Sequence, residues 1–132
     1  MGIKGINRII VAVRDLESSR RFYRELLGAE FHDARWTGAP FGIGVAIAWN
    51  VGIELCAPLP GREHDSAVSA FLARHGEGVM NVYFDVDNGE YALARATACG
   101  VACHHALDYT QAEIDEHLDG LFRRYQEFVL GT

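Results

Sequence analysis

Apolar and polar positions along this chain alternate in short stretches with a period of two, and each long stretch runs into a segment with a helical period. Ile6 to Val13 (INRIIVAV) is rich in β-branched residues and reads as a strand. Asp15 follows as a helix N-cap, Leu16, Phe22, Tyr23, Leu26 and Leu27 recur at helical spacing, and Gly28 stands where a helix closes. Glu30 to Trp36 predicts a second strand, Thr37-Gly38-Ala39-Pro40 a turn, Ile43 to Trp49 a third strand and Val51 to Cys56 a fourth, with Asn50 at the tight connection. Beyond Pro58 and Pro60, Ser66 to His75 predicts a connecting helix with Val68, Phe71 and Leu72 on its apolar face. The second half repeats the theme: strand Val79 to Val86, N-cap Asn88, helix Glu90 to Cys99 ending at Gly100, strand Val101 to His105, a polar helix Ala112 to Leu118, and a closing strand within Leu121 to Leu130.

The halves superpose at an offset of about 73 residues. Val13 overlies Val86, Asp15 overlies Asn88, Glu17 overlies Glu90, and Gly28 falls within one residue of Gly100. On the same offset Arg8 overlies Asn81 and Glu54 overlies Glu127. The expected architecture is therefore α+β: two pseudo-symmetric βαβββ modules in one domain over 1–132, module one at about 4–57, a connecting helix at about 64–75 and module two at about 78–130. A half-sheet with one covering helix buries only one face, so two halves could curl a mixed sheet around a ligand cleft. Alternation then sorts the side chains. Ile9, Val11 and Val13 pack under the helix and leave Arg8, Ile10 and Ala12 for the cleft; Ile53 and Leu55 pack, leaving Glu54 and Cys56; Val82, Phe84 and Val86 pack, leaving Asn81 and Tyr83.

Length and composition narrow the class. With 132 residues, 49% of them hydrophobic, the chain suffices for one domain with a real core. No apolar run reaches the ~20 residues of a membrane span, and the opening residues carry no leader pattern, so a cytoplasmic protein is expected. The net charge of −6, with Arg and Lys scattered, argues against nucleic acid and membrane as partners and leaves a small-molecule ligand. Cys56, Cys99 and Cys103 form no CxxC pair and read as free thiols.

The segments INRIIVAVRDLESSRRFYRELLGAEF, VGIELCAPLP and FLARHGEGVMNVYFDVDN resemble the vicinal oxygen chelate (glyoxalase, bleomycin resistance and dioxygenase) superfamily, and the last two look especially like its methylmalonyl-CoA epimerase and lactoylglutathione lyase groups. The resemblance covers residues 4 to about 106; after that TQAEIDEHLDG stands where the family has a turn and a strand. In metal-dependent members four cleft positions hold a divalent cation. The resemblance puts these on Arg8, Glu54, Asn81 and Glu127, with His expected at the first and third. Arginine has no lone pair to donate and repels a cation, so no metal ligand and no cofactor is assigned. His104 or His105 could serve a rearranged site, although neighbours on a strand point to opposite faces.

Three readings follow. In the first, the chain is a metal-independent isomerase, epimerase or lyase acting on a carbonyl or acyl compound. Glu54, Glu127 and Arg8 are then catalytic. Arg8 binds a carboxylate or enolate oxygen, and repulsion between the two carboxylates tunes one of them to move a proton. In the second, it is a non-catalytic binding protein of the drug-sequestering kind, with Trp36, Trp49, Tyr83, Asn81 and Cys56 lining the ligand site. In the third, Arg8 and Glu54 are a structural ion pair. The resemblance also implies a homodimer.

Overall fold

A computed structural model describes residues 3–131, the side chains of Arg35 and Trp36 excepted. Its elements in chain order are β1 (Ile3–Ala12), α1 (Leu16–Leu27), β2 (His32–Asp33), α2 (Arg35–Gly38), a 3-10 turn (Ala39–Phe41), β3 (Ile43–Ala48), β4 (Ile53–Pro58), α3 (Ser69–His75), β5 (Gly78–Val86), α4 (Gly89–Ala98), β6 (Ala102–Tyr109), α5 (Gln111–His117) and β7 (Tyr125–Gly131). They form two compact units, one of Ile6–Phe84 and one that joins residues 3–5 to residues 85–131.

The larger unit is a five-stranded mixed sheet in the order β2-β3-β4-β1-β5. β1 and β4 run parallel, with Ile10 opposite Glu54 and Ala12 opposite Cys56, while β3 and β4 form an antiparallel hairpin with Ile47 opposite Glu54. Alternation along these strands makes two cores. Val11, Val13, Ile53, Leu55 and Ala57 pack on one face with Ile9, Leu16 and Tyr23, which is the α1 side. Ile10, Ala12, Val45, Ile47 and Cys56 pack on the other with Val68 and Leu72. The phase expected for β1 and β4 is thus the phase observed.

Local chemistry accounts for the element ends. The Asp15 side chain accepts from the Ser18 backbone N–H and caps α1, and Gly28 closes it in the left-handed conformation (φ 69°), which costs glycine nothing. Asn50 in the β3–β4 turn accepts from the Glu30 backbone N–H and donates to the Gly28 carbonyl, pinning the hairpin to the end of α1. The expected strand over Glu30 to Trp36 shrinks to His32–Asp33, because the chain turns helical at Arg35. Both the backbone N–H and the hydroxyl of Thr37 donate to the Ala34 carbonyl there. The expected turn at 37–40 is accordingly the end of α2 and the start of the 3-10 turn, entered through Pro40. A side chain at Gly38 would come within 2.5 Å of the Ile43 carbonyl oxygen, so the approach of α2 to β3 needs glycine.

That N-cap gives a test. The hydrogen bond from the Ser18 backbone holds the Asp15 carboxyl below its ordinary value of 3.8. A depressed carboxylate stabilises the fold above its unfolded pKa, and the benefit disappears as pH falls through the folded one. Asp15→Asn should therefore melt earlier than the unaltered chain near neutral pH and show no such deficit in strong acid, as followed by circular dichroism.

The smaller unit is built on the antiparallel ribbon β6-β7, with Ile114 and Leu118 buried. Asn88 caps α4 through the Tyr91 backbone N–H, and Thr110 and Glu113 cap α5 reciprocally. The helix expected over Ala112 to Leu118 is α5, and it stands between β6 and β7 where the family pattern has a turn and a strand. Expected packing fails at two further places. Val82 and Phe84 share a face of β5, as alternation requires, yet are 41% and 57% exposed; in α1, Phe22, Leu26 and Leu27 are also largely exposed. A periodic pattern fixes which side chains share a face and leaves open whether anything covers it.

Candidate functional site

The face of the larger sheet opposite α1 carries the chemistry. Arg8 on β1 and Glu54 on β4 are buried polar residues, 4% and 8% exposed, in an otherwise apolar surface. The Arg8 Nε donates to Glu54 Oε2 at 2.5 Å, and Nη1 donates to Asn7 Oδ1 at 2.7 Å. The other carboxylate oxygen of Glu54 accepts from the Cys56 thiol, with Sγ 3.7 Å from Oε1. The guanidinium carbon lies 4.4 Å from the Tyr83 ring centroid and 5.2 Å from that of Trp49, within range for cation–π attraction. A charge-assisted contact of this kind is strong only because the apolar surroundings exclude water from it. The geometry follows from the strand register: residues 8, 10 and 12 of β1 and residues 54 and 56 of β4 project to one side.

Five expected site residues, Arg8, Glu54, Cys56, Trp49 and Tyr83, thus come together. Asn81, two residues before Tyr83 on β5, is exposed. The side chain of Trp36 lies outside the described residues. Glu127 belongs to the smaller unit, on β7, where the Tyr125 hydroxyl donates to it and Tyr125 stacks on Tyr109. Glu54 meets a guanidinium and a thiol, and Glu127 meets a phenol. Asn7 was not anticipated, because alternation sends its side chain away from that of Arg8; only the long reach of arginine brings the two together. His104 is exposed and His105 half-buried, and among the described residues no three His, Cys, Asp or Glu side chains gather as a metal site.

Among the described residues, this face offers a divalent cation no fitting donor set. Arg8 supplies positive charge and no lone pair, and it already holds one oxygen of Glu54. Among the described residues beside it, that carboxylate and the thiol are donors such an ion could use, while the neutral oxygen Asn7 Oδ1 is already taken by Arg8 Nη1.

A family model described as the Glyoxalase/Bleomycin resistance protein/Dioxygenase superfamily matches residues 5–113. The chain belongs to that superfamily. It is 36% identical over 96 residues to mitochondrial methylmalonyl-CoA epimerase of Bos taurus, covering 67% of this chain and 50% of the relative. It is 35% identical over 89 residues to the Homo sapiens protein of the same name, covering 63% and 47%. The chain therefore spans about half the length of these curated relatives. Solved structures share the superfamily fold. A Streptomyces coelicolor methylmalonyl-CoA epimerase variant in complex with 2-nitronate-propionyl-CoA matches with a TM-score of 0.66 at 22% identity, over 94% of this chain and 95% of that one. The Mycobacterium tuberculosis methylmalonyl-CoA epimerase matches with a TM-score of 0.66 at 19% identity, over 96% and 87%. Among the described residues of this superfamily member, no helix is long and apolar enough to cross a membrane.

Proposed function

We propose that this chain is an isomerase of the epimerase kind, acting at the carbon beside the carbonyl of an acyl compound, with acyl thioesters of the methylmalonyl type as the substrate class. The buried Arg8–Glu54 contact carries the reading, supported by the likeness to methylmalonyl-CoA epimerases. Removing a proton next to a carbonyl needs a positioned base and a positive partner for the enolate oxygen. Glu54 is the base in this proposal. Arg8 turns part of its fork from Glu54 to the substrate oxygen as the α-proton moves to the carboxylate. Water then delivers a proton to the opposite face of the planar enolate while Glu54 gives its own proton up to solvent, which inverts the centre and consumes nothing. The homodimer expected from the family likeness belongs to the same proposal.

Methylmalonyl-CoA incubated with the protein in deuterated water tests this. Deuterium entering the α position faster than in a protein-free control, together with interconversion of the two epimers by NMR, is the expected result. A second reading has its own support: Trp49 and Tyr83 flank a guanidinium whose charge Glu54 already matches, an arrangement suited to holding a ligand without transforming it. Under that reading, of a binding protein of the sequestering kind, the thioester is recovered undeuterated from a stable complex, and the epimerase reading fails.

A further inference from the structure

We infer that the Arg8 guanidinium is a built-in cation that occupies the place of a divalent ion, so that the Glu54 face of the sheet takes up no divalent metal. The inference goes beyond the reaction proposed above and does not depend on it, because it is read from metal binding without turnover.

Three observations carry it. The guanidinium donates to Glu54 Oε2 at 2.5 Å, taking up an oxygen that an ion would need, and both residues are nearly inaccessible. The second oxygen of Glu54 faces the Cys56 thiol, so neither oxygen is left pointing at an unfilled space. The guanidinium is itself held, by Asn7 through Nη1 and by the Tyr83 and Trp49 rings, whose centroids lie 4.4 and 5.2 Å from its carbon. Divalent metal at Glu54 would have to displace a positive charge held by four neighbours. Were the charge to remain nearby, the ion would sit against it in a poorly screened environment. A planar cation with a fork of donors, able to hold Glu54 and Asn7 at once, is what arginine supplies and lysine does not.

The test is a titration with Co2+, read by its visible absorption, on the unaltered chain, Glu54→Gln, Arg8→His and Arg8→Lys. The unaltered chain should show no Co2+ binding that Glu54→Gln abolishes. Arg8→His, which replaces the charge with a lone-pair donor beside the same carboxylate, should bind Co2+ on the order of a hundredfold more tightly than the unaltered chain, and adding Glu54→Gln to it should remove the gain. Arg8→Lys should gain nothing. One equivalent of Co2+ on the unaltered chain, lost in Glu54→Gln, overturns the inference, and so does a folded Arg8→His chain with no gain. If Arg8→His does not fold, the comparison of the unaltered chain with Glu54→Gln decides alone.

Discussion

Arg8→Ala is expected to destabilise the chain by about 3–5 kcal/mol, the cost of leaving a buried charge without its partner. The carboxylate of Glu54 is 8% exposed, and its Oε2 accepts from Arg8. With the side chain cut back to a methyl group, that oxygen loses its charged partner and the Trp49 and Tyr83 rings lose the cation beside them. A loss of this size is a large part of the margin of a typical domain, so the variant should be partly unfolded at mild urea concentrations. A companion variant separates the charge from the packing. In Arg8→Met/Glu54→Leu both charges go and the volume stays filled, and replacing a buried ion pair by apolar groups is often neutral or stabilising. The double variant should recover most of what Arg8→Ala loses in urea unfolding. If Arg8→Ala costs under about 1 kcal/mol, the contact behaves as an exposed pair and the buried-pair description is wrong.

The same register explains how far the sequence could be read. β1 and β4 were legible because they are covered on both faces: Val11, Val13 and Leu55 go to one core, Ile10, Ala12 and Cys56 to the other, and a slip by one residue would exchange them. Asp15 and Asn88 were legible because a cap is a local interaction needing only three or four residues of context. The fate of Glu30 to Trp36 was not, since its ending is set by hydrogen bonds of Thr37 to Ala34 and by how closely Gly38 approaches Ile43. Val82 and Phe84 carry a strand pattern that says nothing of a covering layer. At the site, alternation brought Arg8, Glu54, Cys56 and Tyr83 to one side. What the Arg8 guanidinium touches was beyond it, because the reach of a long side chain to Asn7, Trp49 and Tyr83 is a tertiary matter.

Glu54→Gln bears on the reaction as Arg8→Ala bears on the fold. If Glu54 moves the α-proton, the amide variant should exchange that proton about 10²–10⁴-fold more slowly, the usual contribution of a positioned acid or base. Gln at this position keeps an oxygen that can accept from Arg8 Nε and changes the side-chain volume little, so the loss should fall on kcat with KM for the thioester changed only a few-fold. Cys56→Ala is the control within the same contact: it removes the thiol from Oε1 without touching the base, and exchange should persist within a few-fold. The decisive comparison is of rate with structure. A Glu54→Gln chain that is folded by circular dichroism and exchanges the proton at the unaltered rate would remove Glu54 from the chemistry and leave its contact with Arg8 a matter of stability alone. Loss of exchange in a folded chain, with kcat carrying it, supports Glu54 as the group that moves the proton, and because the amide also removes the charge facing Arg8, Glu54→Asp, which keeps the charge and the acid, should retain more exchange than Glu54→Gln.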